Sequence, residues 1–154
     1  MNSDKPIRVA IASDQVVYRR GLASLVMSLS NIQLVGEAEN GIEAVQLSAL
    51  VMPEIVLLDV RGTIESRKEL AKEIRKRSPQ VKVVVMFDSH EEKLVPPDSD
   101  GEENIYFSKD ITEEEFIEGI QAIHQDNAPA KREKPPQQEA PLEESMGIDP
   151  SKLP

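Results

Sequence analysis

The sequence predicts an α/β fold, a doubly wound parallel sheet with helices on both sides, on three observations. Short apolar runs rich in β-branched residues alternate with stretches whose apolar residues recur at helical spacing. The run IVLL at residues 55–58 is unbroken, as a strand covered on both faces should be. Each strand reaches the next through a helix, and such crossovers are right-handed and lay helices over both faces.

The elements follow in order. IRVAIA, residues 7–12, is the first strand, and Leu22, Leu25, Val26 and Leu29 form the stripe of the first helix. IQLVGEA, residues 32–38, is the second strand. Asn40-Gly41 marks a turn, Ile42, Val45 and Ala49 mark the second helix, and Pro53 closes it. After the third strand, a helix turns Leu70 and Ile74 inward and a basic face of Lys68, Lys72, Arg75, Lys76 and Arg77 outward. VKVVVMF, residues 81–87, and IYF, residues 105–107, are the fourth and fifth strands. Thr112 with Glu115 is a capping-box pattern ahead of a last helix carrying Phe116, Ile117, Ile120 and Ile123. Between the fourth and fifth strands stands EEKLVPPDSDGEEN, where Pro96-Pro97 and a string of acids leave room for little more than a helical turn. The fourth helix of the alternation is therefore expected to be reduced or missing.

Composition bounds the function. The chain has 154 residues and a net charge of −10. Phosphate binding needs surplus positive charge, so no direct nucleic-acid or anionic-membrane binding is expected. Without cysteine there is neither a disulfide framework nor a thiolate metal site. No run approaches the roughly 18 apolar residues of a membrane span, and the expectation is a cytoplasmic protein. Residues 1–125 read as one domain. Residues 126–154, rich in Pro, Glu, Lys and Gln and without an aromatic, read as a disordered tail with no DNA-binding helices.

In open sheets of this kind ligands bind outside the carboxyl ends of the strands, where strand order reverses. Asp14, Asp59 and Lys109 stand just at or past the ends of the first, third and fifth strands. Taken singly, each has a plainer role: Ser13 and Asp14 are helix-capping types, and a lone Asp or Lys is usually a surface residue. Together, two carboxylates and an ammonium suit a small hard cation such as Mg²⁺ and a phosphoryl group, and an aspartate can itself attack phosphorus.

The segments VAIASDQVVYRRGL, LVGEAENGIEAV, MPEIVLLDV and YFSKDITEEEFIEGIQAI resemble the receiver domain of bacterial two-component response regulators of the NarL/FixJ type, over about residues 7–125. The resemblance implies the flavodoxin-like (CheY-like) fold, a five-stranded sheet in the order 2-1-3-4-5. It implies Asp59 as phosphoacceptor, and Asp14, Asp59 and the backbone carbonyl of Arg61 as Mg²⁺ ligands. Lys109 becomes the phosphoryl-contacting lysine and Tyr106 the aromatic switch. A histidine kinase or another signalling protein is the implied partner, with a homodimer the implied assembly.

Departures from the pattern shape the functional expectation. Ser13 replaces the first acid of the usual pair, so Mg²⁺ binding should be weak. Gly62 and Thr63 replace Met-Pro after the phosphoacceptor. Phe87 stands where a Thr or Ser hydroxyl bonds the phosphoryl group, and Pro96 and Pro97 stand in for helix on the output face. The expectation is an atypical receiver, acting through protein contacts, with phosphorylation at Asp59 poorly coupled to output. The alternative is an orthodox receiver serving as a stand-alone regulator or phosphate sink. LLDVRGT also resembles the D-x-D-G-T motif of haloacid-dehalogenase phosphatases. Arg61, however, occupies the place of that motif's acid-base aspartate, and no enzymatic activity is expected.

Overall fold

The computed structural model describes residues 5–95, 104–125 and 131–132. Its strands are β1 (Ile7–Ser13), β2 (Ile32–Ala38), β3 (Ile55–Asp59), β4 (Lys82–Phe87), β5 (Ile105–Ser108) and β6 (Lys131–Arg132). Its helices are α1 (Val16–Met27), α2 (Gly41–Val51), α3 (Ile64–Arg77) and α4 (Glu113–His124). The sheet is wholly parallel, in the order β2-β1-β3-β4-β5-β6. The predicted order 2-1-3-4-5 is present. Added to it is a two-residue strand, in which Lys131 and Arg132 pair with Tyr106 and Phe107. These two residues therefore correct the expectation that everything past residue 125 is unstructured; the remainder of that tail lies outside the described residues.

Alternate residues of the strands feed two separate cores. Ala10, Ala12, Val56, Leu58, Val83, Val85, Phe87 and Tyr106 face α2 and α3, whose Ala44, Ala71 and Ile74 close that layer. Val9, Ile11, Leu57, Val84, Met86 and Phe107 face α1 and α4, which contribute Leu22, Val26, Phe116 and Ile120. This period of two, with apolar residues at both phases, is the physical content of a buried parallel sheet.

Three of the four helices begin on a side-chain cap. Asn40 Oδ1 accepts the Glu43 N–H at the start of α2, Thr63 Oγ1 accepts the Ser66 N–H at the start of α3, and Thr112 Oγ1 accepts the Glu115 N–H at the start of α4. Asn40-Gly41 is thus a helix start rather than a free turn. At its other end α2 stops on Met52, whose φ of 49° is left-handed, followed by Pro53. Of the three residues that mark α2, Val45 packs against the core, whereas Ile42 is 73% exposed and Ala49 is exposed; Ala44 and Ser48 are buried. Small side chains let this helix lie close to the sheet.

Among the described residues between β4 and β5 there is a six-residue 3-10 helix, Ser89–Leu94. Pro96 and Pro97 lie outside the described residues.

Candidate site at the carboxyl ends of the strands

The sheet order makes β1 and β3 neighbours, and their register sets Ser13 opposite Asp59. The strands leaving β1 and β3 diverge to opposite faces at this point, which opens a crevice above their ends. Asp59 is the last residue of β3 and is 5% exposed. Its Oδ1 lies 3.0 Å from Lys109 Nζ, and its Oδ2 accepts a hydrogen bond of 2.9 Å from the Ser13 hydroxyl. Burial pushes the Asp59 carboxyl above its ordinary value, against the pull of the Lys109 ammonium and the Ser13 hydroxyl; Asp88 adds to the rise.

Lys109 follows β5 directly, and its N–H donates to the Phe87 carbonyl at 2.8 Å, which anchors the turn. Its ammonium has three neighbours. Besides Asp59 it lies 3.6 Å from Asp88 Oδ1 and 4.3 Å from the centre of the Tyr18 ring. The Tyr18 phenol is held well above its ordinary pKa, first by burial and then by the Asp59, Asp88 and Asp110 carboxylates. Neither Asp88 nor Tyr18 was among the predicted site residues. Tyr18 was legible in principle, one helical turn past Asp14 on the stretch that enters the crevice.

Asp14 does not cap α1. Gln15 occupies the N-cap position, and Asp14 Oδ2 accepts the Arg61 N–H at 2.9 Å, tying the end of β1 to the loop after β3. Its Oδ1 is buried and, among the described residues, accepts no hydrogen bond; the Arg61 guanidinium is 4.0 Å away. An unsatisfied carboxylate oxygen in such a crevice suits a hard cation. Among the described residues there is no cluster of three His, Cys, Asp or Glu side chains placed to hold a metal. The oxygen donors available are therefore two carboxylates and backbone carbonyls such as that of Arg61.

Ser13 is fully buried and bridges the Asp59 carboxylate to the Gln15 N–H, which its Oγ accepts at 3.1 Å. Arg19, on α1, donates to the Ser13 carbonyl at 2.8 Å and pairs with Glu37 at 3.3 Å, fixing the end of β1.

Phe87 and Tyr106 sit together in the core between the sheet and α3, each 1% exposed. Phe87 is thus a core side chain at the end of β4. Thr63 caps α3, and Gly62 before it has φ of +124°, with a methyl at its Cα falling 2.4 Å from Ser66 Oγ. Gly62→Ala is accordingly expected to destabilise the domain by about 2 kcal/mol, within the range for a residue forced into a strained backbone. Urea unfolding of the variant measures this, and an unchanged midpoint would mean that the loop relaxes freely.

Three comparisons place this arrangement among known proteins. An uncharacterized transcriptional regulatory protein of Bacillus subtilis, YxjL, is 33% identical over 122 residues, which cover 79% of this chain and 56% of that protein. The nitrate/nitrite response regulator NarL of Escherichia coli is 28% identical over 126 residues, covering 81% and 56%. A two-component transcriptional regulator of Clostridium phytofermentans, AraC, superposes with a TM-score of 0.62 at 26% identity, covering 77% of this chain and 93% of that one. No protein-family model matches the chain. Fold, strand-end carboxylates and relatives together define a receiver domain. The described chain is a response-regulator receiver domain of the NarL/LuxR kind, a module of two-component signalling. It spans a little over half the length of the curated relatives it matches.

Proposed function

We propose that this domain accepts a phosphoryl group on Asp59 and is an atypical receiver, in which that event is weakly transmitted to the rest of the fold. The observation that carries the reading is the setting of Asp59: a buried carboxylate at the end of β3, gripped by Lys109 on one oxygen and Ser13 on the other. In phosphoryl transfer an Asp59 oxygen bonds to phosphorus as the bond from phosphorus to the donor breaks, the leaving group being the imidazole of a kinase phosphohistidine or the acetate of acetyl phosphate, and Lys109 neutralises charge on the transferred group. Asp14, Asp59 and the Arg61 carbonyl would hold Mg²⁺, which when bound neutralises phosphoryl oxygens. With Ser13 in place of an acid the site carries one negative charge fewer, so weak Mg²⁺ binding is part of the proposal.

Weak transmission follows from Phe87. A phenyl ring donates no hydrogen bond to a phosphoryl oxygen, so it gives the end of β4 no reason to move when Asp59 is modified. Tyr106 is already packed inward beside it. The proposed partner is a histidine kinase or another signalling protein, and the absence of an enzymatic role is likewise part of this reading. No helix among the described residues is long and apolar enough to cross a membrane.

Asp59→Asn tests the phosphoacceptor half of this reading. Acetyl phosphate with Mg²⁺ should phosphorylate the wild-type chain at one site, seen by mass spectrometry, and should leave Asp59→Asn unmodified. The same variant reports on burial. Because Asp59 has a folded pKa raised above the unfolded value, its contribution to stability is full below the unfolded value and is lost as pH rises through the folded one. At pH 7 the ionised carboxyl is therefore a burden, and Asp59→Asn should raise Tm. The gap should close as pH falls below about 4, near the ordinary aspartate pKa. Equal phosphorylation of wild type and variant would remove Asp59 from the mechanism.

A further inference from the structure

Arg67 lies on the buried face of α3 at 6% exposure, and all five of its N–H groups are bonded. Nε donates to the Val60 carbonyl at 3.0 Å. Nη1 donates to the Met86 carbonyl at 3.1 Å and to Glu91 Oε1 at 3.2 Å. Nη2 donates to the Gly62 carbonyl at 2.8 Å and to Glu91 Oε2 at 2.7 Å. Glu91, on the 3-10 helix, also accepts the Asp88 N–H on Oε1 at 3.0 Å. The Glu91 carboxyl is held below its ordinary value: burial opposes this, but the hydrogen bonds from the Arg67 guanidinium and the Asp88 N–H, with the Arg67 charge, outweigh it.

Each group in this fork belongs to a piece of chain that carries the site. Val60 follows Asp59, and Val60 and Gly62 flank Arg61, whose N–H holds Asp14. Met86 and Glu91 flank the turn containing Asp88, which faces Lys109. A buried ion pair is a poor source of net stability, since desolvation offsets most of its attraction. An apolar residue at position 67 would fill the α3 stripe as well. What the pair adds is geometry: it ties the loop after β3 to the turn after β4 by a rigid, bidentate link.

We propose, resting on the reading of Asp59 as phosphoacceptor, that Arg67 and Glu91 are positioning residues for phosphoryl transfer. They fix the Arg61 carbonyl, Asp14 and Asp88 around Asp59 across the gap where Phe87 supplies no hydroxyl. Their role is exerted through the loops, because neither touches the Asp59 carboxylate. Outer residues that orient metal ligands characteristically govern affinity by roughly 10- to 100-fold.

The test compares the wild-type chain with Glu91→Gln, Arg67→Lys and the double variant Arg67→Met/Glu91→Met. Three quantities are measured: Tm, the Mg²⁺ concentration giving half-maximal phosphorylation by acetyl phosphate, and the amide resonances of Arg61, Gly62 and Asp88 in metal-free protein. Each single variant should raise the Mg²⁺ requirement about tenfold and shift those resonances. The double variant replaces a buried pair by apolar side chains and should recover Tm to near the wild-type value, while the Mg²⁺ requirement stays raised. A double variant with wild-type Mg²⁺ dependence would show the pair to be packing alone and leave Asp59's role intact. Should the double variant fail to fold, Glu91→Gln decides by itself: a wild-type Mg²⁺ requirement overturns the proposal. If the wild-type chain is not phosphorylated at all, the positioning role and the Asp59 reading fall together.

Discussion

Replacing Lys109 with methionine is expected to abolish phosphorylation of Asp59 and to destabilise the domain. The ammonium is the only cation within 4 Å of the Asp59 carboxylate among the described residues, and both side chains are nearly buried. Removing one partner of a buried pair leaves an uncompensated charge, a loss of about 3 kcal/mol or more. Removing a group aimed at developing charge lowers rate by roughly 100-fold or more. The two effects separate by pH. Asp59 already has a raised pKa, and without Lys109 it rises further, so protonation relieves the unpaired charge. Lys109→Met should therefore be much less stable than wild type at pH 7 and approach it as pH falls toward 4, measured by urea unfolding at both values. A stability deficit independent of pH would assign the loss to the cation–π contact with Tyr18 and to packing.

Phe87→Thr is expected to damage the fold more than it repairs the site. From sequence, a hydroxyl at position 87 looks like a way of restoring the missing phosphoryl contact. Phe87, however, is 1% exposed and belongs to the core that also holds Val60, Ile64, Val95 and Tyr106. Truncating a buried phenyl ring costs about 3–5 kcal/mol, and the new hydroxyl must also find a partner. The expected result is a large drop in Tm, with the amide shifts caused by beryllofluoride and Mg²⁺ still confined to the neighbourhood of Asp59 and Lys109. A stable variant in which Tyr106 and the 3-10 helix respond to beryllofluoride would show that the hydroxyl alone was lacking.

The strands were legible because each is an apolar run bounded by helix, and the crevice was legible because carboxylates and a lysine stand at three strand ends. What escaped was mostly set by long-range contact. Asp88 and Lys109 are 21 positions apart, and only the adjacency of β4 and β5 brings them together. In α3 the buried stripe is Ile64, Arg67, Ala71 and Ile74. The sequence signal for Arg67 is an arginine at helical spacing between Ile64 and Ala71, and the neighbouring Leu70, only partly buried, obscures it. In α2 Val45 packs against the core as its spacing implies, but Ile42 faces outward and Ala44 and Ser48 are the fully buried residues. Close packing selects small side chains that hydropathy does not score. The pairing of Lys131 and Arg132 with β5 rests on backbone hydrogen bonds, and two basic residues in a Pro- and Glu-rich stretch give no sign of it.

The placement of Tyr18 has an optical consequence. The chain contains two tyrosines and no tryptophan. Tyr18 stacks under the Lys109 ammonium beside Asp59, whereas Tyr106 lies buried in the core between the sheet and α3. Tyrosine emission from the native protein is therefore a label already in place, with no tryptophan to drain its excited state. A charge arriving on Asp59 alters the field at the Tyr18 ring directly, whereas Tyr106 responds only if the core beside Phe87 rearranges. A tyrosine phenol is neutral at physiological pH, and burial with the neighbouring carboxylates raises the pKa of Tyr18 further, so tyrosinate absorption does not obscure the signal there.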